Sequence, residues 1–129
     1  MTTYTVELTF DIQESMPETL VEKKIYRGDT PTFSFTFTDG DPAVFYDLTG
    51  ATVTFAIKRS LTSTTEVPRF SKTCVLNVDP TTGKCTSELL VTDSDHNGSY
   101  FAELQAEFIS GLIRTLGRFT LTFVRDVIV

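Results

Sequence analysis

The run Asp93-Ser94-Asp95-His96-Asn97-Gly98 sets oxygen-bearing side chains at alternate positions and a glycine at the sixth, the spacing with which the first half of an EF-hand-type loop surrounds calcium. The bidentate Glu that closes such a loop belongs at the twelfth position, which here is Leu104, with Glu103 one place early. The run therefore reads as an Asx-rich turn, in which short polar side chains bond to nearby backbone. His96 is the only histidine, so any imidazole acid–base pair has to be built on it; its neighbours are turn formers, and an exposed turn histidine is expected. Glu103 and Glu107 share one face of a strand with Gln105. Paired acids are what a glycosidase needs, but spaced acids are also ordinary on the wet face of an antiparallel sheet, and nothing else marks these two. The chain has no Gly-x-Ser-x-Gly elbow, phosphate loop, dinucleotide fingerprint or paired-Cys motif. No catalysis, cofactor, metal or small-molecule substrate is expected.

Cys74 and Cys85 flank the turn sequence Asp79-Pro80-Thr81-Thr82-Gly83. Alternation pairs Val78 with Cys85, Leu76 with Ser87 and Cys74 with Leu89, which leaves the two thiols two inward positions apart and out of reach of an unstrained disulfide. Buried free thiols are the expectation.

The elements that carry these residues are strands. Residues 4 to 12 alternate without a break, with Tyr4, Val6, Leu8, Phe10 and Ile12 on one side and Thr5, Glu7, Thr9 and Asp11 on the other. The same period places Phe33, Phe35 and Phe37 on one face, then Val53, Phe55 and Ile57, then Tyr100, Ala102, Leu104, Ala106 and Phe108, and finally Phe119, Leu121 and Phe123. Ser15-Met16-Pro17-Glu18 has capping-box spacing with proline near the first helical position, which predicts a short helical turn over 17 to 23. The turns at Asp39-Gly40-Asp41-Pro42, Asp47-Leu48-Thr49-Gly50, Asp79 to Gly83 and Ser110-Gly111, with a loop from Ser60 to Thr65, divide the chain about every ten residues. Eight or so strands so divided make a sandwich or barrel.

At 129 residues and 40% hydrophobic content, one domain can build its core without disulfide or metal support. Eleven Phe, four Tyr and no Trp, with abundant Thr, suit half-buried pleated surfaces. A net charge of −6 repels phosphate backbones and anionic membranes, and the basic pairs Lys23-Lys24 and Lys58-Arg59 are too short to track a phosphate chain. Nucleic acid and membrane are not expected partners. No basic stretch followed by an apolar core opens the sequence, so no signal peptide is expected.

Several pieces resemble a known family in the same order. Gly28-Asp29-Thr30 with the Phe33 to Phe37 strand, and then Asp47-Leu48-Thr49-Gly50-Ala51-Thr52-Val53-Thr54-Phe55, are similar to the opening of the immunoglobulin-like N-terminal domain of phage baseplate upper proteins. Asp79 to Lys84, Gly98 to Glu103 and Gly117 to Leu121 resemble its second half, so the likeness spans about residues 22 to 125. The resemblance implies an immunoglobulin-like antiparallel β-sandwich of about 7–9 strands at 22–129, and the alternation of residues 4 to 12 puts an extra N-terminal strand or arm at 1–21 before it. It also implies a place on the virion, in tail, baseplate or head, and contacts with other virion structural proteins and with copies of the chain itself. The strand of residues 4 to 12 lies outside the likeness. Its dry face, Tyr4, Val6, Leu8, Phe10 and Ile12, either packs on its own sheet or adds to a neighbouring subunit, and the apolar tail at Val127 and Ile128 poses the same choice. The alternative from another class is a carbohydrate-binding or host-adhesion module, with Phe45, Tyr46 or Tyr100 stacking on sugars.

Overall fold

The computed structural model describes residues 4–14, 20–40, 44–60 and 66–125. Among the described residues, ten strands form two sheets packed face to face. The first sheet runs β1 (Thr5–Asp11), β3 (Thr32–Asp39), β8 (Lys84–Glu88), β7 (Val75–Leu76), with the short β4 (Val44–Phe45) also on β3. The second runs β2 (Glu22–Tyr26), β10 (Ile113–Val124), β9 (Gly98–Phe108), β5 (Ala51–Lys58), β6 (Phe70–Thr73). The all-β sandwich expected from alternation is present, and the inward stripes are buried except for Tyr4, Val6, Phe10 and Phe108, which are half-buried against the core. Phe33, Phe35, Phe37, Phe55 and Phe119 are fully enclosed, and Phe55 meets Phe33 and Phe35 edge-on with centroids 5.2 Å apart in each case, the arrangement that ring quadrupoles favour.

Four expectations need correction. The sheets are mixed, not purely antiparallel, because β1 runs parallel to β3 and β2 parallel to β10. A parallel pair needs a long crossover, and here the segment between β1 and β3 supplies it while placing β2 in the opposite sheet. The helical turn over 17 to 23 is replaced at Glu22 and Lys23 by β2; Ser15 to Glu18 lie outside the described residues, and a 3₁₀ turn sits earlier, at Ile12–Glu14. Isolated capping spacing is too local a signal to outweigh strand pairing.

The third correction is the hairpin register. The turn at Asp79 is a 3₁₀ turn over Pro80–Thr82, capped by the Asp79 carboxylate, which accepts from the Thr81 N–H at 3.1 Å, and closed by Gly83 at φ 68°. A Cβ at Gly83 would lie 2.5 Å from the Phe37 carbonyl oxygen, so only glycine fits. Leu76 pairs with Cys85, where alternation predicted Ser87, and Val78 is fully exposed. The fourth follows from it. The chain changes sheets at Cys74, between β6 on β5 and β7 on β8, with the Cys74 N–H bonded to Val53 O at 2.8 Å. That crossing brings Cys74 to Cys85: the thiols are free and buried but hydrogen-bonded to each other, and this bond, with burial, pushes the Cys85 thiol far up.

The N-terminal strand pairs with β3 along its whole length, from Thr5 opposite Thr32 to Asp11 opposite Thr38. Leu8 and Ile12 are buried in the common core, and Tyr4, Val6 and Phe10 pack against it. Phe10 reaches across to the second sheet, 6.0 Å from the Phe119 ring and directly over Gly117, where a Cβ would stand 2.5 Å from Phe10 Cγ. The pairing of β10 with β9 shifts between Thr115 and Gly117, a bulge that seats Leu116 in the core.

Candidate functional site

The loop read as a possible calcium site lies at the end of the sandwich where β3 begins. Its oxygens do not converge. The Asp93 carboxylate takes Lys72 Nζ at 2.5 Å and the Leu90 N–H at 2.7 Å. Asp95 pairs with Arg27 Nε at 2.7 Å, and the buried Ser94 hydroxyl donates to Asp29 O at 2.7 Å. Each group is held by a different element, so the loop is stapled to the fold and its acids are separated. Among the described residues no three His, Cys, Asp or Glu side chains come together.

His96 is half-buried, not exposed as a turn histidine would be, because the loop folds its ring between Tyr100 and Phe123, with centroids 5.6 and 5.5 Å away. Its Nε2 is buried without a hydrogen-bond partner among the described residues. Burial lowers the imidazole pKa, and Arg69 and Arg27 add to this against the opposing pull of Asp95 and Asp93. The ring is thus a neutral packing element. Tyr100 is buried in turn, its face covered by the Arg59 guanidinium 4.3 Å from the centroid and its hydroxyl bonded to Arg59 at 3.1 Å. It is not placed to stack on a sugar. Behind the same end, burial and then the Asp29 carboxylate push the Tyr4 phenol up to about 12.

The two acids of β9 are also apart in role. Glu103 accepts from Arg118 Nε on the neighbouring strand at 2.7 Å, whereas Glu107 is exposed opposite Ile113 and Thr52. Glu103 and Arg118 form one wall of a shallow depression of about 220 Å³ on the second sheet, floored by Ala56 and flanked by Lys58, Ser60 and Phe101. That volume is below the usual range for small-molecule pockets.

Of the candidate partner-binding side chains, Leu8 and Ile12 are inside the core and Tyr4, Val6 and Phe10 lie against it, while Val127 and Ile128 fall outside the described residues. Among the described residues no strand pairs with the outer edge of β1, where Thr5, Glu7 and Thr9 are exposed. A surface that alternation did not point to lies at the opposite end from the Asp93 loop. Val44 and Phe45 of β4 and Ile109, Leu112 and Ile113 at the β9–β10 turn are all more than half exposed. Tyr46 and Phe108 join the two segments, edge to face at 6.2 Å. Phe45 and Tyr46 of this surface stand out in the sequence only as residues that could stack on a sugar, and the apolar Ile109, Leu112 and Ile113 crowd a turn that is usually polar.

No protein-family model matches the chain, and no curated protein sequence matches it. Among solved structures the fold is similar to the N-terminal domain of phage TP901-1 ORF48, with a TM-score of 0.63 and 11% identical residues over 93% of this chain and 98% of that one. At that identity the likeness is one of fold. No helix among the described residues is long and apolar enough to cross a membrane.

Proposed function

We propose that this chain is a non-enzymatic structural part of a phage virion, an immunoglobulin-like module of the tail, baseplate or head that works through contacts with other virion proteins and with copies of itself. The observation that carries this reading is the fold likeness to a phage domain over 93% of the chain, which agrees with the ordered resemblance of residues 22 to 125. The side-chain arrangement supports it. The groups most suited to chemistry, Asp93, Asp95, Glu103 and His96, are tied to Lys72, Arg27, Arg118 and an aromatic cluster, which leaves surfaces and edges as the means of action.

The test is the composition of purified particles. Immunogold labelling and mass spectrometry should find the chain in fixed stoichiometry with tail, baseplate or head proteins. Detection only in the soluble fraction of infected cells overturns the reading. Saturable binding on a glycan array by a chain absent from particles favours the adhesion module.

A further inference from the structure

We propose that Cys74 and Cys85 are a convertible dithiol, which hydrogen peroxide oxidises to an intramolecular disulfide that ties the two sheets together where the chain crosses between them. This modification goes beyond the virion reading and does not depend on it.

The two sulfurs come from opposite sheets. Cys74 follows β6, which pairs with β5, and its N–H is bonded to Val53 O at 2.8 Å, so its backbone is held to the second sheet. Cys85 lies in β8, opposite Phe35 and Leu76 of the first sheet. Alternation alone sets the pair two inward positions apart, and it is the crossing at Cys74 that brings the thiols into hydrogen-bond contact inside the core. That bond, with burial, holds the proton on Cys85, which makes Cys85 the donor and the Cys74 sulfur the acceptor. Packing asks only for two small apolar side chains; two thiols in contact are also the reactants of a sulfur–sulfur bond.

Access selects a small oxidant. Cys74 is 5% exposed against 1% for Cys85, and the strand that follows it, β7, is two residues long, pairs only with β8 among the described residues and leaves Val75 exposed. Hydrogen peroxide, little larger than water, reaches the Cys74 sulfur there, where a maleimide ring does not fit. The sulfur attacks one peroxide oxygen, the O–O bond breaks, and the departing hydroxide takes up the Cys74 thiol proton as water. The sulfenic acid at Cys74 then condenses with the Cys85 thiol already bonded to it. The S–S bond forms as the S–O bond breaks, and the hydroxyl leaves with the Cys85 proton as a second water. The two sulfurs are oxidised and one peroxide is reduced to water. Burial makes the first step slow, and prior contact makes the second fast. The product closes the loop from Cys74 to Cys85 and removes freedom from the unfolded chain.

The full chain, purified in reduced form, is incubated with hydrogen peroxide in the absence of denaturant and followed by intact mass and by thiol titration after unfolding. The mass should fall by about 2 Da as both thiols vanish together. A non-reduced digest should join the Cys74 and Cys85 peptides, and dithiothreitol should restore the parent mass. The oxidised chain should melt about 5 °C or more above the reduced one. In Cys85→Ser the sulfenic acid has no thiol to condense with, so dimedone should add to Cys74 and the loss of mass should be absent. Persistence of both thiols in the parent, a sulfinic acid at Cys74 beside a free Cys85, a disulfide between two chains, or an oxidised chain that melts lower than the reduced one overturns the proposal.

Discussion

Replacing Gly117 with alanine places a methyl carbon 2.5 Å from Cγ and 2.7 Å from Cδ1 of Phe10. Gly117 has no left-handed backbone, so alanine there carries no conformational penalty and would by itself favour the strand by roughly 0.5–1 kcal/mol. The steric term runs the other way. Phe10 is packed near Phe35, Phe37 and Phe119 at 6.5, 6.1 and 6.0 Å, so its ring has little room to yield, and overpacking of this kind costs about 1–3 kcal/mol. Gly117→Ala should therefore be a net loss of about 1–2 kcal/mol. In a Phe10→Ala background the obstacle is gone, and the same substitution should change sign to a gain of about 0.5–1 kcal/mol. Phe10→Ala alone should cost about 3 kcal/mol, the lower end for a large ring because the side chain is only partly buried. Urea denaturation of the four proteins closes the cycle, and the midpoints should not depend on protein concentration, since both residues belong to one chain. Additive effects, or a midpoint that rises with concentration, would refute the placement of Phe10 on its own Gly117.

Three further outcomes are expected. Gly83→Ala should destabilise by more than about 2 kcal/mol, because a positive φ and backbone oxygens of Phe37 and Tyr46 at 2.5 and 2.9 Å both oppose it, whereas Gly111→Ala, with nothing within 4 Å, should cost only about 1 kcal/mol; thermal melts rank the two. The Tyr4 phenol titrates at about 12 in the fold against 10.0 unperturbed, so its contribution to stability is complete below pH 10 and is lost as pH rises toward 12; Tyr4→Phe should flatten that part of the stability curve relative to the parent, and identical slopes would contradict the assignment. Cys74 and Cys85 are 5% and 1% exposed, and the Cys85 thiol is pushed up by its bond to Cys74 and by burial, so both should resist maleimide in the native chain and react on unfolding; stoichiometric labelling without denaturant would show the pocket to be open.

Much of this molecule is legible in one dimension because a strand that is dry on one side must alternate its side chains. Phe33, Phe35 and Phe37, then Val53, Phe55 and Ile57, then Phe119, Leu121 and Phe123, announced their faces, and all nine are buried. The turn from Asp79 to Gly83 was equally plain, since a capping carboxylate, a proline and a glycine act on their immediate neighbours. Alternation is blind to the direction and identity of the neighbouring strand, however, and so the parallel pairing of β1 with β3 and of β2 with β10 could not be read from it. Register was lost for a related reason. The length of the 3₁₀ turn sets where pairing resumes, and a shift of that start moves Cys85 from opposite Val78 to opposite Leu76. His96, read as exposed, is packed against Tyr100 and Phe123, which the pairing of β9 with β10 sets side by side and which the imidazole reaches only because the loop folds back on the sheet.

The apolar end follows the same division. Residue type and spacing determine which side chains a strand turns inward, because that choice is local and repeats along the chain. Which apolar side chains remain exposed, such as Phe45 and Ile109, depends on what the rest of the chain brings to that end. Only the tertiary structure decides it, since contact across sheets is a property of the whole path of the chain.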